Sequence, residues 1–156
     1  MKKKINIGVL GCANIAERYM LTALSKSNFF ELTGVASRSK EKADSFASIF
    51  NTIAYYNYES LLDSNLDAIY IPLPNGLHYE WVKKSLNKNL HVLVEKSLAC
   101  NFDEVKELNL LAKNNGDLLY NATESTAGSP ISVYKALRND SHQGGTLFKV
   151  RSQLVT

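Results

Sequence analysis

The sequence contains few of the residues that characterise the specialised classes of protein. Only two cysteines and three prolines occur among its 156 residues. Cys12 and Cys100 show neither a metal-ligand nor a redox spacing, which excludes a disulfide scaffold and predicts free thiols in a reducing, cytoplasmic setting. No apolar run approaches the roughly 18 residues that a membrane-spanning helix needs, and the basic start lacks the apolar core of a signal peptide.

An excess of charge of one sign is also lacking, because the formal net charge at pH 7 is only +3. That value does not indicate a nucleic-acid partner, and no basic stripe interleaved with aromatic residues is present. Hydrophobic residues make up 45% and charged residues 21% of the chain, as in ordinary globular domains. A chain of this length buries roughly 70% of its unfolded surface, so the composition predicts a domain with a real core.

Short apolar runs alternate along the chain with longer segments of helical periodicity. Strands followed by helices of about 10–15 residues form βαβ units, so the sequence predicts an α/β fold with a doubly wound parallel sheet, the Rossmann fold. Ligands of such sheets bind at the carboxyl ends of the strands. The predicted strands are 5–10, 30–36, 53–56, 68–71, 91–94, 118–120 and 146–155, and the predicted helices are 15–27, 40–50, 59–64, 77–87, 101–116 and 131–137.

The first predicted strand is followed by a turn of the kind that binds nucleotides. Residues 11–16 match the pattern G-x-G-x-x-G/A, with Ala13 in place of the second glycine. Gly11 would supply the tight turn, and the amides of Asn14 and Ile15 would face the phosphates at a helix N-terminus. A plain strand–turn–helix corner is the alternative interpretation. The candidate cofactor-binding residues of this turn are Gly11, Cys12, Ala13, Asn14 and Ile15.

The end of the second predicted strand lacks the acidic residue that usually accepts from the ribose hydroxyls of NAD. Ser37, Arg38 and Lys42 follow this strand instead. A serine hydroxyl can bond a ribose 2′-phosphate, and an arginine can pair with it bidentately. This pattern favours NADP as the cofactor, with NAD as the alternative. The alternative interpretation is that these residues are solvated members of a strand–helix loop with no binding role.

Two further motifs follow the fourth and fifth predicted strands. Residues 71–78 read Ile-Pro-Leu-Pro-Asn-Gly-Leu-His, and residues 91–99 read His-Val-Leu-Val-Glu-Lys-Ser-Leu-Ala. With the turn at 11–16 they occur in order, each at the carboxyl end of a strand. On these residues the chain, from about 5 to 137, resembles the N-terminal domain of the Gfo/Idh/MocA oxidoreductases. The resemblance implies an NAD(P)-dependent enzyme that transfers a hydride to or from a hydroxyl or carbonyl carbon of a sugar-like substrate.

The resemblance also assigns roles to residues of these motifs. The family carries a Glu-Lys-Pro motif whose lysine lies beside the nicotinamide and the substrate hydroxyl, and Lys96 matches that lysine, although Ser97 replaces the proline. An ammonium there can stabilise a developing alkoxide or relay a proton; a solvated lysine is the alternative. The loop at 72–78 would lie along the cofactor, with Asn75 and His78 as polar contacts, unless His78 is a partly exposed helix residue. The other candidates for cofactor binding are Pro72, Leu73 and Glu95.

The same resemblance implies a second domain, because members of the family are about twice as long as this chain. Residues 1–122 are expected to form the dinucleotide-binding domain, and residues 123–156 a connecting helix and the first strand of an otherwise absent substrate domain. Alone, the chain is then incomplete for catalysis, and a full-length parent is expected to be a homo-oligomer. A non-catalytic dinucleotide-binding or regulatory module is the alternative, and a flavodoxin-like or nucleoside-binding protein is a third. No metal, membrane or nucleic-acid partner is expected.

Overall fold

The computed structural model describes residues 4–13, 20–95 and 98–122. The strands of the described part form one six-stranded, wholly parallel sheet in the order β3-β2-β1-β4-β5-β6. This is the strand order of the doubly wound dinucleotide-binding fold, and the order reverses between β1 and β4. The strands are β1 Ile5–Leu10, β2 Phe30–Ala36, β3 Ala54–Tyr55, β4 Ala68–Ile71, β5 His91–Glu95 and β6 Leu119–Ala122.

The described helices pack on the sheet as right-handed crossovers require. They are α1 Thr22–Lys26, α2 Lys40–Phe50, α3 Tyr58–Leu62, α4 His78–Asn87 and α5 Phe102–Asn115, and a 3-10 turn, Asn75–Leu77, precedes α4. One buried layer joins α1 and α2 to the sheet through residues such as Leu24, Phe46 and Tyr70. The opposite layer joins the sheet to α3, α4 and α5 through residues such as Leu61, Trp81 and Leu108.

The predicted parallel α/β sheet is confirmed, and the predicted bounds of β1, β2, β4 and α2 agree residue for residue. Side-chain caps decide several of the helix starts. Asn101 caps α5, since its Oδ1 accepts from the Glu104 amide at 2.9 Å, whereas the Glu104 carboxylate accepts from the amide of Cys100 at 3.2 Å. The predicted helix at 131–137 and the predicted strand at 146–155 lie outside the described residues.

Helical spacing gives α5 an apolar face of Phe102, Val105, Leu108 and Leu111, but this face is not buried at its first residue. Leu108 is buried and Val105 and Leu111 are partly buried, as expected, but Phe102 is 76% exposed. Phe102 is the first residue of the helix, directly after the Asn101 cap. Helical spacing aligns its position with the buried face, but the neighbouring elements do not cover the side chain at this first residue.

Candidate dinucleotide site at the carboxyl ends of the strands

Gly11 lies where the carboxyl ends of three strands meet. Its φ of +110° belongs to a backbone region that side chains other than glycine rarely adopt. A Cβ atom at this position would lie 2.8 Å from the Leu73 Cδ2 atom, and the Gly11 amide donates to the Ala36 carbonyl at 2.8 Å. The turn after β1 is therefore held against both the end of β2 and the loop that follows β4, and the close approach to Leu73 needs a glycine.

Cys12 is a packing residue of this turn rather than a reactive thiol. Its Sγ lies 3.8 Å from the Ala36 carbonyl oxygen. Burial raises the pKa of the thiol from 9.0 to about 11, against smaller opposing effects of the Lys42 charge and of a hydrogen bond with Ser37. The ends of β1 and β2 adjoin, since Leu10 is paired with Ala36. Ala13 is half-buried beside Cys12, while Asn14 and Ile15 lie outside the described residues.

The hydroxyl groups after β2 shape the loop that leads into α2. Ser37 is buried, and its Oγ accepts from the Ser39 amide at 3.1 Å. Ser39 in turn caps α2, with its Oγ accepting from the Lys42 amide at 3.4 Å. The structure thus gives Ser37 a role in folding the loop, and its direct contact with a phosphate stays a prediction.

The positively charged side chains after β2 differ in their contacts with other residues. Lys40 lies 5.4 Å from the centroid of the Tyr56 ring. Arg38 is exposed, and no ion pair joins it to another residue of the described ranges. Glu41 accepts a hydrogen bond from the Ser39 hydroxyl at 3.2 Å. The carboxylate nearest to Arg38 in sequence is therefore bonded within the helix cap, and the guanidinium extends from the loop.

The loop after β4 is held together from inside by His78. Pro72 and Leu73 are buried, whereas Asn75 is exposed in the 3-10 turn. The His78 ring is 0% exposed, and its Nε2 donates to the Leu73 carbonyl. The alternative of a partly exposed helix residue is therefore wrong. Direct contact between His78 and a cofactor stays a prediction, while the observed bond makes His78 a support for the loop that packs on Gly11.

The end of β5 carries a partly buried hydrogen-bonded pair that the sequence did not predict. The hydroxyl of Tyr70, on β4, donates to the carboxylate of Glu95, the last residue of β5. One sequence signal was available, because Tyr70 is the one polar side chain in the aliphatic strand Ala68–Ile71. Lys96 follows directly in sequence but lies outside the described residues.

The described ranges contain neither a metal-binding cluster nor a membrane-spanning helix. Within 4–13, 20–95 and 98–122, no group of three or more histidine, cysteine or acidic side chains is placed to hold a metal ion. Among the same residues, no helix has the length and apolar character needed to cross a membrane.

Comparison with known proteins shows the family. Residues 5–123 match the model of an oxidoreductase family with an NAD-binding Rossmann fold, GFO_IDH_MocA. The chain belongs to this family. The resemblance drawn from the motifs at 11–16, 71–78 and 91–99 is thereby confirmed, and the described sheet is the NAD-binding domain of a Gfo/Idh/MocA oxidoreductase.

Individual relatives include reductases and dehydrogenases of sugars. The chain is 40% identical to a dTDP-3,4-didehydro-2,6-dideoxy-alpha-D-glucose 3-reductase of Streptomyces violaceoruber, over 96% of this chain and 43% of the relative. It is 34% identical to the scyllo-inositol 2-dehydrogenase (NADP(+)) of Bacillus subtilis, over 92% of this chain and 43% of that protein. The chain thus spans less than half the length of these relatives.

A solved structure shows the same fold. The crystal structure of a 3-ketoreductase from Actinomadura kijaniata in complex with NADP and TDP-benzene superposes with a TM-score of 0.75. The two sequences are 38% identical, over 76% of this chain and 37% of the ketoreductase.

Proposed function

We propose that this domain binds NADP and belongs to an enzyme that transfers a hydride to or from a hydroxyl or carbonyl carbon of a sugar-like substrate. The observation that carries the choice of cofactor is the end of β2, where Arg38 is exposed and Lys42 lies near the β1 turn. A ribose 2′-phosphate at that place needs cations, whereas a carboxylate would repel it.

The relatives support NADP over NAD. The Actinomadura kijaniata ketoreductase was crystallised with NADP, and the scyllo-inositol dehydrogenase and a D-xylose 1-dehydrogenase of Haloferax volcanii carry NADP(+) in their names. Those names describe sugar or inositol substrates, which supports a polyhydroxylated substrate for this protein. NAD stays as the alternative cofactor.

The proposed chemistry places Lys96 beside the reacting oxygen. A bound reduced nicotinamide supplies the hydride. Reduction of a carbonyl leaves negative charge on its oxygen, and the Lys96 ammonium would stabilise that charge and pass on a proton. The reverse reaction would need the same group to take the proton of the substrate hydroxyl. Glu95, directly before Lys96, is the described residue that marks this end of β5.

The remaining features of the proposal concern the whole protein. Residues 1–122 would be the dinucleotide-binding domain, and residues 123–156 the beginning of the substrate domain. The proposal includes a cytoplasmic location, a homo-oligomeric parent, and a small-molecule substrate as partner. The division into two domains is supported by the length of the relatives, of which the chain spans 43% in two cases.

The cofactor proposal is tested by titrating the chain with NADPH and with NADH, following nicotinamide fluorescence. Arg38→Ala should weaken NADPH binding about 10- to 100-fold, because a charge-assisted pair with the 2′-phosphate contributes about 1.5–3 kcal/mol. NADH binding should stay within about twofold. Lys113→Ala is the matched control, since Lys113 is an exposed cation in the last turn of α5.

Two outcomes contradict the proposal in different ways. Equal affinity of the unmodified chain for NADPH and NADH would remove the argument from Arg38, because the site would then show no preference for the 2′-phosphate. Failure of both dinucleotides to bind would contradict the interpretation of the Gly11 turn as a dinucleotide site. Equal losses in Arg38→Ala and Lys113→Ala would show a general charge effect instead of a phosphate contact.

A further inference from the structure

Tyr70 is a polar side chain in a place where an apolar one would pack as well. It is 0% exposed and lies in the core layer with Val9, Met20 and Leu93. Its neighbours on β4 are aliphatic or alanine. A buried hydroxyl is unfavourable unless it is hydrogen-bonded, so a phenylalanine would serve the packing alone. The hydroxyl therefore needs an explanation beyond the core.

The register of the sheet places that hydroxyl at the end of β5. Tyr70 is paired with Leu93, and Glu95 lies two residues further along the same strand, on the same face. Two residues of strand span about 6.6 Å, a distance that a tyrosine side chain covers. The hydroxyl accordingly donates to Glu95 Oε1, which joins the body of β4 to the carboxyl end of β5.

The direction of this hydrogen bond does not change at ordinary pH. Burial, together with the bond to Glu95 and its charge, raises the pKa of Tyr70 well above its usual value. The phenol therefore keeps its proton and remains the donor. A carboxylate has several acceptor positions, so Glu95 is able to hold Tyr70 and accept from a second donor at the same time.

We infer that Tyr70 is a positioning residue of the dinucleotide site: it fixes the Glu95 carboxylate at the end of β5, ready to accept from a hydroxyl or amide group of the bound dinucleotide. The inference rests on the proposed function. A glutamate on the rim of a site has several rotamers and loses that freedom when it binds. A side chain already held by a buried phenol has lost it during folding, which strengthens ligand binding without a new contact to the ligand.

A double-mutant cycle in NADPH affinity tests the inference. Tyr70→Phe keeps the ring and should weaken NADPH binding about tenfold, which corresponds to about 1.4 kcal/mol. Glu95→Ala should weaken it at least as much. In the Glu95→Ala background, Tyr70→Phe should then have no further effect, because the carboxylate through which it acts is gone.

Tyr58→Phe is the matched control for loss of a hydroxyl. Tyr58 is also buried, but it packs edge-on against Trp81, with 4.9 Å between the ring centroids, in the opposite core layer. Its affinity for NADPH should stay within about twofold of the unmodified chain. Circular dichroism and thermal unfolding of each variant separate loss of folding from loss of affinity.

Each outcome decides the matter. Equal weakening by Tyr70→Phe with and without Glu95 would mean that the phenol acts by another route and would overturn the inference. Unchanged affinity in Glu95→Ala, a partly exposed position, would overturn it even if Tyr70→Phe failed to fold. If the unmodified chain bound NADPH and these variants bound it equally well, only this inference would fail. Binding of neither dinucleotide by the unmodified chain would remove the proposed function as well.

Discussion

Replacement of Gly11 by alanine is the sharpest perturbation that the structure offers. Two independent features of Gly11 oppose a side chain. Its φ of +110° is strained for any residue other than glycine, and the new Cβ would lie 2.8 Å from Leu73 Cδ2. Leu73 is buried in the core layer of α3, α4 and α5, so its methyl group has little space into which to move.

The expected loss of stability follows from these two features. Backbone strain of this kind contributes about 1–3 kcal/mol, and overpacking a well-packed position adds about 1–3 kcal/mol. The free energy of unfolding should therefore fall by about 2–6 kcal/mol, a large part of the roughly 5–15 kcal/mol typical of a domain. Movement of the turn should also disturb the proposed dinucleotide site, so NADPH affinity should fall together with stability.

Two other glycines separate the two contributions. Gly116 has a φ of +72° with no atom within 4 Å of a built Cβ, and Gly76 has the same open space without a positive φ. Gly116→Ala should therefore cost about 1–2 kcal/mol from backbone strain alone, and Gly76→Ala should be close to neutral. The excess of Gly11→Ala over Gly116→Ala estimates the cost of the contact with Leu73.

The assay is urea unfolding followed by circular dichroism, combined with NADPH titration of the folded variants. Equal destabilisation by Gly11→Ala and Gly116→Ala would refute the claim that the close approach to Leu73 matters. A Gly11→Ala variant that unfolds at the same urea concentration as the unmodified chain, and binds NADPH equally well, would refute the whole account of the turn.

Two further predictions concern the neighbouring strand ends. Burial raises the pKa of Cys12 to about 11, so only about one Cys12 thiol in a thousand is ionised at pH 8. Iodoacetamide should therefore modify the exposed Cys100 first, and its reaction with Cys12 should become faster as the pH rises towards about 11. Mass spectrometry of the alkylated peptides would show the order, and equal rates in the folded chain would contradict the burial argument. Lys96→Ala in a full-length parent should lower kcat about 100-fold or more, because the variant loses the group proposed to stabilise charge on the reacting oxygen. The rate of NADPH oxidation measures this loss, and unchanged turnover would remove Lys96 from the proposed mechanism.

Local sequence signals were sufficient for most of the secondary structure. β1, β2, β4 and α2 have the predicted bounds because each strand is a short segment of mostly apolar residues, and the helix is an amphipathic segment with polar caps. The cap signals were local as well, since Asn57 and Asn101 each accept from the amide three residues later. Phe102 shows where such reasoning stops, because periodicity describes the face of a helix but not how far its covering layer extends.

The features of the candidate site likewise fall into those that local sequence predicts and those that depend on the tertiary structure. The turn at 11–16 and the motifs at 71–78 and 91–99 are contiguous in sequence, and they were sufficient to indicate the family that the comparisons then showed. The contacts between these segments join residues far apart in the chain. Glu95 and Tyr70 are 25 residues apart, and their bond depends on the register between β4 and β5.

The sequence by itself therefore determined the parallel α/β fold, most of its strands and helices, and the family, and it predicted which residues form the candidate site. The tertiary structure decided what those residues do to each other: Leu73 excludes a side chain from Gly11, His78 closes the loop after β4 from inside, and Tyr70 holds Glu95. The physical reason is the distance along the chain over which each kind of interaction acts. Periodicity and capping act over three or four residues, whereas burial and hydrogen bonds between strand ends arise only once the sheet has brought its strands into register.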